Sequence, residues 1–280
     1  MDTLIPKLFL KPKNGDEVDV SKAIKGLIYL GDDEAPSIVS AFQQNAGRDG
    51  QILQSINYDK NVINAKFGLN FGDWYDYKMI KHNIYKLFSQ RQSMRIRTDA
   101  EPAIVKYVIP ATFDIAPSSD GAHDAVFTIP FENPSGYKYS LLRSDSLYTF
   151  NEEGWQLGMN LPSEDLTYTH SEPNFKIFNA SDITIDPYYQ SHDLILKINF
   201  EGNSLTVTNR TTNTSWSYTK PAKKTDNIVL NGIITTLNGE PASVNTDYGN
   251  LTLATGWNDI SVTGATDFTI TFSFPFVYIA

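Results

Sequence analysis

The four histidines of this 280-residue chain are the side chains best suited to hold a metal ion or to transfer a proton near neutral pH. They are His82, His123, His170 and His192. A histidine metal site usually shows a defined spacing, such as an i, i+4 pair on one helix face. None of the four has a partner at such a spacing. We therefore interpret them as surface or loop residues and predict no metal site and no catalytic histidine.

Paired carboxylates are the second group that could perform chemistry, because glycoside hydrolysis needs one carboxyl group as an acid and another as a base or nucleophile. Residues 32–34 and 152–153 are acidic neighbours, but adjacent residues on a strand point to opposite faces of the sheet. A glycosidase hypothesis stays open, although no signature favours any pair. Its candidate residues are Glu152, Glu164, Asp165 and Asp186.

Other chemical signatures are missing from the sequence. Residues 14–19, NGDEVD, resemble part of a calcium loop, but the glycine and the closing glutamate are misplaced for an EF-hand, so we interpret them as a solvated turn. The lack of cysteine excludes disulfides, thiolate metal sites and cysteine nucleophiles. No nucleophile elbow, phosphate-binding loop or dinucleotide fingerprint is present. We predict that the protein is not an enzyme and has no cofactor.

Aromatic side chains could instead bind a carbohydrate, because exposed rings on a β-sandwich can stack on sugar rings. The candidates in the second half of the chain are Trp155, Trp216, Trp257, Tyr188 and Tyr189. Half-buried sheets also favour aromatic residues, so core or interface packing is the competing interpretation. The neighbouring Asn209, Arg210 and Trp216 form only a small sugar-contact set. Carbohydrate binding through the second half therefore remains the alternative function.

The net charge of −9 is concentrated in the second half of the chain. Residues 1–142 contain 16 Lys and Arg against 17 Asp and Glu, whereas residues 143–280 contain 7 against 15. An acidic surface repels phosphate backbones and the first half has no basic run, so we predict no specific nucleic-acid binding. The amino terminus meets lysines before an apolar run forms, and no segment reaches the roughly 18 apolar residues of a membrane span. We expect neither a secretion signal nor a membrane association.

One good helix is predicted between residues 74 and 88, in a chain that otherwise alternates like a sheet. Asp73 is suited to cap its first turn, and Asp76 places negative charge where the helix dipole favours it. Spacings of three and four place the apolar residues on one stripe, which must be buried on neighbouring strands. The stripe consists of Tyr77, Ile80, Ile84, Leu87 and Phe88.

Strands are predicted from period-two alternation on both sides of the helix and throughout the second half. A long hairpin in the first half should join residues 104–109 to 126–131 through a turn-rich connection. In the second half, alternating apolar residues occupy 194–200, a returning strand follows at 205–207, and residues 238–239 (Asn-Gly) signal another hairpin turn. A final strand places Phe268, Ile270, Phe272 and Phe274 on one face.

The predicted fold class is mainly β, with two domains. Residues 1–142 form a β-rich domain with one α-helix and a long hairpin, and residues 143–280 form an antiparallel β-sandwich with no convincing helix after about residue 145. The boundary falls between residues 133 and 151, where Pro-Ser-Gly at 134–136 interrupts the strand pattern.

The order of these parts, with short motifs distributed along the chain, resembles a known family. The motifs are GRDG at 47–50, RTDAEP at 97–102, FENP at 131–134, FKIFN at 175–179, LTVTN at 205–209, NG at 231–232 and GWNDI at 256–260. Over essentially the whole chain they resemble the distal tail proteins of long-tailed, non-contractile (siphovirus-type) bacteriophages that infect Gram-positive bacteria. GRDG before the helix and G-x-N-x-I before the last strand are the most specific pair.

The resemblance implies a structural virion component. In this family, residues 1–142 correspond to a domain that closes into a hexameric ring around the tail channel, and residues 143–280 to a galectin-like β-sandwich. The hub joins the tail tube protein to the tail-tip or tail-associated protein, the baseplate and the receptor-binding proteins, and DNA passes through the channel. It is located at the phage tail tip and is assembled in the host bacterial cytoplasm. The single helix would then stiffen a wedge whose two sides meet identical neighbours.

Overall fold

A computed structural model describes residues 5–146, 154 and 156–279. The chain divides into two compact units: the first contains Met1–Lys138 with Ile279–Ala280, and the second contains Tyr139–Tyr278. The fold is mainly β, as the sequence predicts. The predicted boundary follows residue 142, a few residues after the division between the two units at Lys138. The two domain assignments stay predictions. Among the described residues, no helix is both long and apolar enough to span a membrane.

The first unit consists of nine strands and two helices between residues 8 and 133. In chain order they are β1 (Leu8–Lys11), β2 (Val18–Asp19), α1 (Val20–Ala23), β3 (Leu27–Asp33), β4 (Ser37–Gln43), β5 (Ile52–Asp59), β6 (Asn61–Asn70), α2 (Trp74–Phe88), β7 (Met94–Thr98), β8 (Ile104–Pro110) and β9 (Asp124–Asn133). Seven strands form an antiparallel sheet in the order β2-β1-β7-β8-β9-β6-β3, while β4 and β5 form a separate two-stranded sheet.

Helix α2 confirms the predicted helix, including its cap and its buried stripe. The Asp73 carboxylate accepts a hydrogen bond from the backbone N–H of Asp76 at 2.8 Å, and the Asp76 carboxylate accepts one from the N–H of Gly72 at 2.8 Å. The first bond satisfies an amide that the first helical turn leaves without a partner, and the second ties the residue before the cap to the helix. The buried residues are Tyr77, Ile80, Ile84 and Phe88, with Leu87 partly buried beside them.

An aromatic cluster joins α2 to the inner face of the seven-stranded sheet. The ring of Phe67 lies 5.6 Å from that of Tyr29, 5.7 Å from that of Phe88 and 5.6 Å from that of Phe127. These rings come from β3, α2 and β9, so the cluster ties distant segments of the chain together. Each buried ring removes a large apolar surface from water, and off-parallel ring pairs add a smaller specific attraction.

The strand pairing differs from the predicted topology in one place. Strands β8 and β9 pair at Ile109 and Pro110, whereas β9 pairs along its whole length with β6. Both long strands alternate buried and exposed side chains, so pairing them places two complete apolar rows on one face. The connection between β8 and β9 crosses α2 instead, where the hydroxyl of Tyr77 donates a hydrogen bond to the carbonyl of Ile115 at 2.6 Å.

The second unit is built from two antiparallel sheets. Its elements are β10 (Tyr137–Arg143), β11 (Thr169–His170), β12 (Asn174–Asn179), β13 (Ile195–Glu201), β14 (Leu205–Asn209), β15 (Thr214–Tyr218), β16 (Ile228–Asn231), β17 (Ile234–Leu237), β18 (Glu240–Pro241), a 3-10 helix (Ser243–Asn245), β19 (Gly256–Thr263), β20 (Asp267–Ser273) and β21 (Pro275–Ile279). The sheet orders are β11-β20-β13-β16-β17-β18 and β12-β19-β14-β15, and β10 pairs with β21. Within the described part of this unit, the 3-10 helix is the only helix.

The alternation predicted for the second half is confirmed in β13, β14 and β20. Phe268, Ile270 and Phe272 are buried on one face of β20 as expected. The strand ends at Ser273, so Phe274, which the sequence analysis places on the final strand, instead leads into a further strand, β21. Asn238 and Gly239 have φ values of 52° and 90°, so they form the tight turn that an Asn-Gly pair favours.

Buried asparagines organise the sandwich around the G-x-N-x-I motif. The Asn258 side chain accepts a hydrogen bond from the N–H of Ala254 and donates one to the carbonyl of Ala254, both at 2.8 Å. Its oxygen also accepts a bond of 2.9 Å from the Asn209 amide, and both asparagines are fully buried. Such side chains satisfy backbone groups that irregular turns leave without ladder partners. The motif is therefore structural in this unit.

Candidate assembly surface

A two-stranded hairpin in the first unit is the feature least explained by the fold of a single copy. Strands β4 and β5 pair from Ser37↔Asp59 to Gln43↔Ile52 and form a sheet of their own. We call residues 37–59 the arm. Its tip carries the GRDG motif, where Gly47 and Gly50 both have φ values of 78° that favour glycine. An isolated two-stranded hairpin is marginally stable in water, so this arm gains most by contact with another surface.

One face of the arm is apolar and open to solvent. Cross-strand partners share a face, and the register pairs Ile38 with Tyr58, and Phe42 with Leu53 after a bulge. Phe42 is 55% exposed and Ile56, on the same face, is 60% exposed. We define the apolar face of the arm by the five side chains Ile38, Phe42, Leu53, Ile56 and Tyr58. Large contiguous apolar surfaces of this kind mark interaction sites.

The base of the arm is held by close contacts within the first unit. The ring of Tyr58 lies 5.4 Å from that of Tyr137. Gly136 has a φ value of 68°, and a Cβ at this position would lie 2.2 Å from the carbonyl oxygen of Asp59, so only glycine allows this approach. The side-chain amide of Asn61 donates a hydrogen bond to the carbonyl of Ala35 at 3.4 Å. The arm therefore starts and ends at ordered positions.

A partly buried charge cluster forms around Glu34, which lies just before the arm in sequence. The carboxylate of Glu34 is 2.8 Å from the ammonium of Lys106 and 2.6 Å from that of Lys138. Asp32 and Glu101 lie within 3.8 Å of these lysines, so the positive charges are compensated. Burial opposes the charged form of Lys138, but Glu34 and Glu101 outweigh this effect and raise the pKa of Lys138 above its usual value.

The sequence analysis did not predict the arm as a separate element. It predicted only a short β-sheet region before the helix. The available signal is the GRDG turn between two alternating runs that begin near Ile38 and Ile52. Alternation alone predicts a half-buried strand, and it cannot reveal that the apolar side faces solvent in a single copy. The charge cluster was also missed, because its members are separated by up to 106 positions along the chain, from Asp32 to Lys138.

The structure does not bring the four histidines together. His82 and His123 are exposed in the first unit. In the second unit, His170 stacks on Phe175 with a ring distance of 4.1 Å, and the Nδ1 atom of His192 accepts a hydrogen bond from the N–H of Asp186 at 3.1 Å. Burial lowers the pKa of both His170 and His192. Within the described residues, no group of three His, Asp or Glu side chains could hold a metal ion.

Among the described residues, the candidate carboxylates do not form a recognisable acid and base pair. Asp186 accepts hydrogen bonds from the N–H groups of Tyr188 and Tyr189 at 2.9 and 3.0 Å, which makes it a turn residue. Glu164 and Asp165 are exposed neighbours in a bend. Glu152 and Glu153 lie outside the described residues. The acidic residues at 32–34 belong to the first unit, where two of them join the charge cluster.

The candidate sugar-binding aromatics separate into buried and exposed residues. Trp216 is only 1% exposed, so its ring belongs to the sandwich core, in agreement with the packing interpretation, and it is not available to a sugar. Trp257 is 42% exposed and makes an edge contact with Phe178 at 5.0 Å. Tyr188 and Tyr189 are exposed and meet edge to face. Trp155 lies outside the described residues, and Asn209 and Arg210 are engaged with Asn258 and Ser261.

Comparison with known protein families places the arm and α2 in one recognised domain. Residues 13–133 match the phage tail protein RIFT-related domain. The match spans β2 to β9 and therefore contains the arm, the α2 stripe and the members of the charge cluster other than Lys138. The RIFT-related domain ends just before the boundary between the two units, so the match does not extend into the second unit. No curated protein matches the sequence significantly.

The fold of the whole chain is similar to that of the SPP1 Dit (gp 19.1) protein, described as a paradigm of the hub adsorption apparatus in phages that infect Gram-positive bacteria. The TM-score is 0.66 at 12% sequence identity, and the match covers 96% of this chain and 99% of the other. Two structures of the phage p2 baseplate in its activated conformation, with Sr and with Ca, match with TM-scores of 0.47 and 0.44 at 10% and 11% identity, over at least 97% of each chain. The resemblance to phage tail proteins is confirmed.

Proposed function

We propose that this protein is a non-enzymatic hub of a phage tail. In this proposal, six copies form a ring through the RIFT-related domain and join the tail tube protein to the tail-tip protein, the baseplate and the receptor-binding proteins. The second unit, a galectin-like sandwich in the family pattern, serves as an outward docking platform. The family match of residues 13–133 and the fold shared with the SPP1 Dit protein support this proposal. The protein would be assembled in the host cytoplasm and reside at the tail tip of the virion.

The observation that carries the ring is the apolar face of the arm. Phe42 and Ile56 are more than half exposed in a single copy, although residues of this kind stabilise a fold only when water is excluded from them. In the proposed ring, the neighbouring copy carries the same surfaces and can cover this face. An arm that contacts a different surface of the next copy makes a heterologous contact, and such contacts generate a closed ring when the rotation between copies closes.

Light scattering of the full chain tests the ring directly. We expect a particle of about six times the monomer mass of 31.4 kDa. The double variant Phe42→Asp with Ile56→Asp places two charges on the apolar face of the arm and is expected to yield single copies. The matched control, Ser55→Asp with Asn57→Asp, adds the same charge to the arm on the opposite face of β5. If the wild-type protein is a monomer at every concentration, the proposed ring is contradicted.

Carbohydrate binding by the second unit is the second candidate function, and the solvent exposure of the Trp257 ring favours it. Its ring is 42% exposed, whereas Trp216 is buried, so Trp257→Ala is the informative variant. The full chain is incubated with host cell walls and the retained fraction is measured. Retention that Trp257→Ala abolishes, while Tyr248→Ala at another exposed aromatic leaves it unchanged, would favour this function. If host cell walls retain none of the protein, carbohydrate binding by the second unit is excluded.

A further inference from the structure

A concavity of about 450 Å³ lies at the start of α2, between the first helical turn and the turn that precedes β9. Its lining includes the aromatic rings of Phe71 and Trp74 and the carboxylates of Asp73 and Asp120. Asp73 caps the helix through one carboxylate oxygen, whereas Asp120 is exposed and has no ion pair with any described residue. Aromatic faces beside carboxylates suit a cationic side chain, because both attract positive charge.

An exposed apolar surface adjoins this concavity. Trp74, Tyr75 and Met79 are each more than half exposed, although α2 buries its opposite stripe on the sheet. Tyr75 and Met79 are four residues apart and therefore share one face of the helix. We call these three residues the exposed patch of α2. Because Trp74 also lines the concavity, the apolar patch and the acidic concavity form one continuous surface.

The arm carries the complementary features in the matching order. Its apolar face leads to the GRDG tip, where Arg48 is exposed and has no ion pair with any described residue. Leu53 lies three residues from Gly50 at the tip, which is about 10 Å of extended strand. Trp74 and Met79 are separated by about 7.5 Å of helix. An arm that lies across the start of α2 can therefore contact the exposed patch and the concavity at the same time.

Charge distinguishes this concavity from two others in the same unit, which would repel Arg48. Those two are lined by Lys11, Lys13, Arg91 and Arg95. At the start of α2, the Nζ atom of Lys78 lies 4.8 Å from the centre of the Trp74 ring, beside the concavity but not among its lining residues. Asp49 follows Arg48 at the tip of the arm, so the tip also carries a carboxylate for Lys78. Both charges of the GRDG motif thus have an opposite charge at this surface.

We propose that the start of α2 is the surface that receives the arm of a second copy of this chain. The apolar face of the arm covers the exposed patch of α2, and Arg48 enters the concavity and pairs with Asp120 and Asp73. Asp49 pairs with Lys78 at the rim. The arm and the concavity are different surfaces, so each copy gives its arm to one neighbour and receives the arm of the other, as a closed ring requires. This inference rests on the proposed ring and names the two surfaces that meet in it.

Thiol cross-linking between copies tests this contact, because the chain has no cysteine of its own. The full-length double variant Arg48→Cys with Asp120→Cys is treated with a short bismaleimide reagent that joins neighbouring thiols. Each copy then links its arm to the next copy, so we expect denaturing electrophoresis to show a ladder that ends at about six copies. The matched control is Arg48→Cys with Asp16→Cys, which places the second thiol at an exposed aspartate outside the concavity and is expected to give no ladder.

Light scattering of the same samples separates the failure of this contact from the failure of the ring. If rings form but the Arg48 and Asp120 thiols give no ladder, or if the Asp16 control gives an equal ladder, the docking site is overturned and the ring stands. A cross-link confined to single copies also overturns it, because the arm would then contact its own chain. If the wild-type protein is a monomer at every concentration, both the ring and this contact are contradicted.

Charge exchange tests whether the ion pair contributes to the contact. Arg48→Glu is expected to raise the concentration needed for half-assembly by more than about tenfold, because the tip then faces like charges. Adding Asp120→Arg is expected to recover part of this loss. Lys25→Glu changes an exposed lysine elsewhere in the unit and controls for net charge. Equal effects of Arg48→Glu and Lys25→Glu, or no recovery in the double variant, would overturn the pairing of Arg48 with the concavity.

Discussion

Helix α2 and the arm are both amphipathic elements of one domain, yet only one of them buries its apolar side within its own chain. In α2, Ile84 is fully buried against the sheet, whereas Phe42 in the arm is 55% exposed. Both elements show regular periodicity in the sequence, one near 3.6 and the other near 2. The periodicity indicates that a face will be covered, but it does not indicate whether the covering surface belongs to the same chain. Within this domain, α2 therefore stabilises the fold of a single copy, whereas the apolar face of the arm is available to another surface.

The largest expected effect is on the helix. Ile84→Asp places a charge in the core of the first unit, at a cost of more than about 4 kcal/mol, and is expected to prevent this unit from folding. The control is Met79→Asp, which adds the same charge to the exposed face of α2 and is expected to change stability by about 0.5 kcal/mol or less. Circular dichroism and the soluble yield measure both effects. A folded Ile84→Asp protein would remove the distinction between α2 and the arm.

The next largest effect is expected at the charge cluster around Glu34. Glu34→Gln leaves Lys106 and Lys138 without their nearest carboxylate, so we expect a loss of about 2–4 kcal/mol in the free energy of unfolding. Asp32 and Glu101 limit the loss because they remain near the lysines.

Glu132→Gln is the control for Glu34→Gln. The ion pair of Glu132 with Lys60 is solvent-exposed, so we expect it to contribute less than about 1 kcal/mol to the free energy of unfolding. Chemical denaturation compares the two variants. Equal losses would show that the charge cluster has no special role.

A smaller effect is expected at the cap of α2. Asp73→Ala removes the carboxylate that accepts from the N–H of Asp76, with an expected loss of about 1 kcal/mol. Asp16→Ala, at an exposed aspartate of the same unit, controls for the change in net charge. Thermal unfolding measures the difference, and an unchanged melting temperature in Asp73→Ala would show that the cap contributes nothing.

The smallest expected effect is on the stability of the arm itself. Phe42→Ser with Ile56→Ser is expected to change the free energy of unfolding of a single copy by about 0.5 kcal/mol or less, because both side chains already face solvent. The measurement is made at a protein concentration where light scattering shows single copies. A loss of several kcal/mol there would mean that the arm is buried on its own chain, and the comparison with α2 would fail.

Local patterns predict much of this fold. The span and cap of α2, the alternation in β13 and β20 and the Asn-Gly turn at 238–239 follow from spacing and turn chemistry alone. Sequence alone does not predict which strands pair over long distances, such as β6 with β9, because both strands have the same alternation. It also cannot distinguish a buried tryptophan from an exposed one, as Trp216 and Trp257 demonstrate.

The candidate surfaces are less predictable than the elements that carry them. The charge cluster combines residues that are far apart in sequence, so its charges appear scattered when the sequence is read in order. The exposed apolar face of the arm depends on the absence of a covering element, which no local pattern encodes.

Glycine at position 136 and the paired charges around Glu34 fix both ends of the arm before any neighbour arrives. In the proposed ring, an arm whose two ends are fixed would lose little conformational freedom on contact with the next subunit, so less binding free energy would be lost to ordering. Under the same proposal, successive copies would join at similar rates, because each would present an arm of the same shape.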